Sequence, residues 1–211
     1  MTTARATRRD EQRAQTRQDL LDAAGRVFAE RGFHAASVDL VAEAAGYTKG
    51  AVYSNFDSKE ELFLALLDRR MDSRFELTEQ VLFGRPAEER AGLLVGDEPA
   101  MDVLDRDWYL LETEFLLYAA RNEQVRERIA ERLRTMRERL TRLLRRHLDE
   151  LGVTESQLPA AEYTRILLAL SDGLTRAALA DPDAQQDAGQ VLADVTDALL
   201  HRARARTDED A

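Results

Sequence analysis

The sequence predicts an all-α protein in which a small N-terminal group of short helices is followed by a larger helical region. Three observations carry that expectation. Apolar residues recur at three- and four-residue spacing along most of the chain and nowhere alternate as a half-buried strand would. Ala, Leu, Glu and Arg dominate, while only 10 glycines and 4 prolines interrupt 211 residues. Cysteine is absent, so an apolar core must hold the helices, without disulfides or thiolate-bound zinc. The length suits one or two domains. Even an apolar run such as Phe115 to Ala120 falls far short of the roughly 20 residues that cross a bilayer. Arginines stand at the start of the chain where a signal peptide needs apolar residues. A cytoplasmic protein with no membrane partner is therefore expected.

Leu20, Leu21, Ala24, Val27 and Phe28 mark a first helix from about Glu11 to a cap at Gly32. Ser37 is placed to N-cap a short second helix with Val38, Val41, Ala42 and Ala45 on its inner side, and Gly46 ends it. Thr48 caps a third through Asn55, and Ser58 a fourth in which Leu62, Phe63, Leu66, Leu67, Met71 and Phe75 keep the period up to Gly84. Gly92, Gly96 and Pro99 break up the stretch from Pro86 to Asp107. From Asp107 to Arg121 the residues are apolar nearly all round, which predicts a helix enclosed by others. A long amphipathic helix spans 123–151 and stops at Gly152; two more are expected at Pro159–Ala180 and Asp187–Arg206, before a charged tail at 207–211.

The net charge of −10 discourages a nucleic-acid partner only on average. Arg5, Arg8, Arg9, Arg13 and Arg17 crowd the start of the chain, and nearly all the excess acid lies beyond residue 63. These arginines suit either a solubilising tail or an arm reaching a phosphate or minor groove. Any contact with DNA falls in the first quarter of the chain.

Two short helices joined by a three-residue turn must cross closely, so the first needs a small residue at the crossing and the turn one that accepts positive φ. Ala42 and Gly46 meet these demands. Val41, Ala45, Tyr47 and Val52 form the small core that sets the angle, leaving Lys49, Gly50, Tyr53, Ser54 and Asn55 to project outward. That is a helix-turn-helix, whose second helix lies in a major groove. Ser37 and Thr48 are N-caps with or without DNA, and Phe56 is best read as packing the third helix on the first.

The stretch Gly32-Phe33, Ser37-Val38, Ala42, Ala45-Gly46, Thr48, Gly50, Tyr53, Phe56, Lys59 and Leu62 resembles the tetracycline-repressor (TetR) family of bacterial transcription regulators over about the first 65 residues. The resemblance implies a DNA-binding domain at 1–57 and a helical effector-binding and dimerisation domain at 58–206. It implies phosphate contacts by Ser37, Thr48, Tyr53 and Lys59 and close backbone approach at Gly50, which leaves Lys49, Ser54 and Asn55 as base readers. Hydroxyls, helix N-termini and a lysine are suitable phosphate partners; Lys can donate to guanine and Asn to adenine.

The implied partners are a double-stranded operator, a second copy of the chain and a small lipophilic effector, and the implied role is that of a ligand-releasable repressor. Ile166, Leu170, Leu174 and Ala177 on one helix, with Val191, Val195 and Leu199 on the next, offer a dimer face, with Ala169 and Gly173 permitting close approach; they could instead face only the central helices. The effector would lie among Met71, Phe75, Trp108, Glu112, Phe115, Tyr118, Met136 and Leu140. An inward Glu112 or Glu114 would have to be paired, by a cationic effector or by an arginine such as Arg132 or Arg139. No enzyme, cofactor or metal site is expected. His34, His147 and His201 lie far apart, no Glu-x-x-His occurs and no glycine-rich phosphate loop is present. A helical adaptor that contacts only proteins is the rival reading.

Overall fold

The computed structural model describes residues 8–84 and 106–209, among which there are eight helices and no strand. They are α1 (Arg8–Ala35), α2 (Val38–Ala45), α3 (Lys49–Tyr53), α4 (Lys59–Phe83), α5 (Arg106–Ala120), α6 (Glu123–Glu150), α7 (Ala160–Ala180) and α8 (Pro182–Glu209). Residues 1–7, residues 85–105 with the expected breaks at Gly92, Gly96 and Pro99, and residues 210–211 of the expected tail lie outside the described residues. None of the described helices is long and apolar enough to cross a membrane.

The chain divides into two units. The first comprises the residues up to Arg70 together with Leu110–Ile129; the second comprises Met71–Tyr109 and everything from Ala130 onward. Residue 57, where the DNA-binding domain is expected to end, lies within the first unit. A few short helices cannot enclose a core alone, and here the start of α4 and most of α5 complete it. Phe33, Phe63 and Phe115 are fully buried against one another, with ring centroids 4.2–5.4 Å apart, spacings at which aromatic pairs attract beyond their area.

Leu20, Leu21, Ala24, Val27 and Phe28 are buried along α1 as the period requires. The regular helix breaks at Gly32 (φ 73°, ψ 171°), and one further turn follows to Ala35. α1 starts earlier than expected, so Arg8 and Arg9 are helical as well as Arg13 and Arg17, while Arg5 lies outside the described residues. α5 corrects a larger expectation. Only Leu111, Phe115 and Ala119 are buried, while Leu110, Leu116 and Leu117 are exposed. An apolar circumference permits enclosure but does not supply neighbours for every face.

In the second unit, α7 packs on α8 over a core that includes Leu82, Leu144, Leu148, Tyr163, Leu167, Leu192 and Leu200. Gly152 (φ 72°) ends α6, and the Val153 amide donates back to Leu148 (2.9 Å). Of the expected dimer residues, Leu170, Leu174 and Leu199 lean on this core. Ile166 and Val195 are half-buried, and Ala177 and Val191 are exposed.

Candidate nucleic-acid interface

Each short helix is closed by the residue the sequence assigns to it. Ser37 Oγ accepts from the Leu40 amide (3.3 Å) and Thr48 Oγ1 from the Ala51 amide (3.2 Å), each satisfying one orphan donor of a helix start. Gly46 takes φ 72° and its amide returns to Ala42 and Glu43 carbonyls. Val41, Ala42 and Val52 are buried between the helices. Tyr47 does more than fill space: its hydroxyl donates to Asp19 of α1 (2.7 Å), and this hydrogen bond, with one from Gln15, holds the Asp19 carboxyl below its ordinary range. Phe56 is buried, with the Arg17 guanidinium 4.3 Å above its ring.

The outward face of α3 carries Lys49, Gly50 and Tyr53, with Ser54 beside them. Tyr53 is 48% exposed despite its size, and a Cβ at Gly50 would meet nothing closer than Thr48 Oγ1 at 3.7 Å. Gly50 is therefore not demanded by packing. Lys49 pairs with Asp39 of α2 (2.9 Å), both side chains well exposed; the hydrogen bond from Lys49 to Asp39 raises the lysine's pKa. Such a pair exchanges readily for a phosphate or base edge because exposed ion pairs are weak.

Three expected DNA contacts, Ser54, Asn55 and Lys59, have partners within the protein. Asn55 Nδ2 donates to the Ala51 carbonyl (2.9 Å) and towards Ser54 Oγ (3.3 Å), and Ser54 Oγ donates to the same Ala51 carbonyl (2.8 Å). A five-residue helix leaves its last carbonyls orphaned, and these side chains satisfy one. Arg13 and Arg17 donate to the carbonyls of Ser54 (3.4 Å) and Asn55 (3.1 Å), closing the same end from α1. Lys59 Nζ donates to the carbonyls of Phe33 (2.9 Å), Ala36 (3.1 Å) and His34 (3.4 Å) and lies 4.5 Å above the Phe33 ring. Its three donors are directed at the protein, so Lys59 fastens α4 to the corner before α2.

The expected effector residues are divided between the two units. Phe115 is core, and Tyr118 donates to Glu60 of α4 (2.7 Å). Burial pushes the Glu60 carboxyl up, but that hydrogen bond and others outweigh it and hold the group below its ordinary range; the Tyr118 hydroxyl is raised in turn. Glu112 is half-buried in the same unit. Met71, Phe75, Trp108, Met136 and Leu140 belong to the second unit and are half-buried. There Arg139 stacks 4.3 Å from the Phe75 ring and pairs with Asp72 (2.5 Å), so Arg139 is not the partner of an inward glutamate. An open groove of about 320 Å³ beside Phe75 is lined mostly by charge, including Glu76, Arg139 and Arg142. Glu114, for which the sequence offers an arginine or a cationic effector as partner, accepts instead from two backbone amides, those of Phe33 (2.9 Å) and His34 (2.8 Å). Its 81-residue separation from Phe33 leaves no local signal that could have revealed this.

Two capped short helices crossing at a left-handed glycine, with a lysine, a glycine and an unburied tyrosine on the outer face of the second, define a DNA-binding helix-turn-helix. A model described as bacterial regulatory proteins, tetR family, matches residues 20–66, and one described as BetI-type transcriptional repressor, C-terminal, matches 87–203. The chain belongs to the TetR family of transcription regulators. The HTH-type transcriptional activator FasR of Mycolicibacterium smegmatis is 39% identical over 99 residues, 47% of this chain and 43% of FasR, so the match spans under half of that relative. A TetR transcription regulator from Haloarcula marismortui superimposes with a TM-score of 0.69 at 24% identity, over 88% of this chain and 98% of that one. The transcriptional regulator FadR from Bacillus subtilis in complex with stearoyl-CoA does so with a TM-score of 0.61 at 21% identity, over 88% and 96%.

Proposed function

We propose that the chain acts in the cytoplasm as a repressor, binding an inverted-repeat operator as a homodimer and leaving it when a small lipophilic molecule binds. The observation that carries this reading is the outer face of α3, where Lys49, Gly50 and Tyr53 stay exposed although α3 is otherwise tightly fixed. A tyrosine hydroxyl and the capped start of α3 suit phosphate oxygens, and Lys49 suits a guanine edge. Two copies related by a two-fold axis would present α3 to successive major grooves about 34–36 Å apart. For dimerisation, exposed Ala177 and Val191 on the packed α7 and α8 offer a face that the second unit's own core leaves open.

The effector would engage the second unit, where Met71, Phe75, Trp108, Met136 and Leu140 are half-buried apolar side chains. Stearoyl-CoA in the FadR neighbour shows a lipophilic ligand on a related fold. Release requires only that the ligand favour a non-binding state. Selection from a pool of random duplexes, read by sequencing, tests the DNA step. An enriched inverted repeat is expected; a pool that returns no motif overturns the reading in favour of a protein-contact role.

A further inference from the structure

The corner between α1 and α2 is gripped by side chains of α4 and α5, outside the helix-turn-helix. Its amides at Phe33 and His34 are taken by the two oxygens of Glu114 on α5, and its carbonyls at Phe33 and Ala36 by Lys59 on α4. The Phe33 ring sits 4.8 Å from Phe115 and 5.0 Å from Tyr118, both on α5 beside Glu114. Tyr118 in turn holds Glu60, the neighbour of Lys59. The corner and the carboxylate are shaped for each other. Gly32 has φ +73°, and a Cβ there would lie 2.6 Å from Glu114 Oε2, so the carboxylate occupies the space that any other residue's side chain would need. Ser37, which starts α2, follows three residues after His34.

We propose that Glu114 is a positioning residue for DNA reading: by holding both amides of the corner, it sets the direction in which α2 and hence α3 leave α1. DNA affinity then depends on a side chain of α5 that never approaches DNA. A Coulombic or packing role alone would not need this geometry, since the carboxylate is spent on two backbone donors and not on a cation. The chemistry predicts how substitutions rank. Glutamine keeps the length but offers one acceptor oxygen and turns an NH2 group toward the second amide. Aspartate keeps both oxygens but is one methylene too short to reach without moving α5.

The inference rests on the operator-binding reading, and the test separates the two. Affinity for the selected operator is measured by fluorescence anisotropy for the parent, Glu114→Gln and Glu114→Asp, alongside urea unfolding and amide exchange at Phe33 and His34. Glu114→Gln is expected to free one of the two amides to exchange and to weaken operator binding about tenfold, the scale of one charge-assisted hydrogen bond. Glu114→Asp should weaken it further. In the Gly32→Ala and Glu114→Ala pair, the double variant should lose less affinity than the two single losses combined, because both occupy one seat. Faster amide exchange with unchanged operator affinity in Glu114→Gln overturns the proposal. So does an affinity loss that only tracks the unfolded fraction. A parent that binds no duplex is a failure of the operator reading itself.

Discussion

The two units place their polar contacts differently. In the first, polar side chains reach between elements distant in sequence: Glu114 to Phe33 and His34, Lys59 to Phe33 and Ala36, Tyr47 to Asp19, Arg17 to Asn55. In the second, the buried hydroxyls of Thr164, Thr175 and Thr196 each donate to the carbonyl four residues back in their own helix. Such local bonds satisfy a buried group but say nothing about which neighbour the helix must face. The second unit's contacts between distant elements, Arg139 to Asp72, Arg146 to Glu79 and Tyr109 to Asp172, are made by exposed side chains, whereas most of the first unit's are partly buried. Groove reading needs one fixed geometry, and cross-element polar contacts fix it. A set of apolar faces tolerates repacking, as the proposed dimerisation and ligand entry would require.

The contrast is tested most strongly in the cores. Phe63→Ala should cost about 3–5 kcal/mol of stability and Leu148→Ala about 2–5 kcal/mol, both measured by urea denaturation. Only Phe63→Ala should also weaken operator binding by the protein that remains folded. Equal losses of binding would show that the units do not differ in this way.

Lys59→Ala comes next. Removing an ammonium that serves backbone carbonyls should cost about 1–3 kcal/mol while leaving the salt dependence of DNA binding unchanged. A slope of log affinity against log salt that flattens by about one per half-site would restore Lys59 to the phosphate contacts.

In the second unit, Val191→Glu places like charges on the face expected to meet its copy without touching the chain's own core. Light scattering should show a dimer of the 23.9 kDa chain for the parent and at least an about tenfold weaker dimer for the variant, or about 1.4 kcal/mol. A monomeric parent ends the dimer reading.

The smallest effect is on acid stability. Asp19 and Glu60 are both held below their ordinary values of 3.8 and 4.5. A depressed folded-state pKa contributes stability above the unfolded value, and that contribution disappears as pH falls through the folded value. Between pH 4.5 and stronger acid, the melting temperature of the parent should therefore fall more steeply than that of Tyr47→Phe or Tyr118→Phe, which lack the stabilising hydroxyls.

What could be read from the sequence follows the same division. Ser37, Gly46 and Thr48 act within a few residues of themselves, so cap and turn chemistry places α2 and α3 to within a residue or two. Phe56 follows from periodicity. Lys59 and Glu114 act across 23–26 and 80–81 residues, and nothing in local spacing distinguishes a carboxylate facing a cation from one facing two amides. Asn55 was legible as an outward polar residue but not as a closure for α3, because the choice depends on where an orphaned carbonyl points. The exposed leucines of α5 show the limit of apolar counting: composition states what a face prefers, and only the fold states what covers it.

Gly50 offers the most direct test of the claim that α3 presents its outer face to DNA. Its Cβ position is open and it sits in a helix, where replacing glycine relieves about 0.5–1 kcal/mol. Gly50→Leu should therefore melt at or above the parent's temperature yet bind the selected operator at least about tenfold more weakly, a loss of about 1.4 kcal/mol or more, because the leucine holds the backbone away from the duplex. Undiminished operator affinity in a folded Gly50→Leu protein would contradict the account.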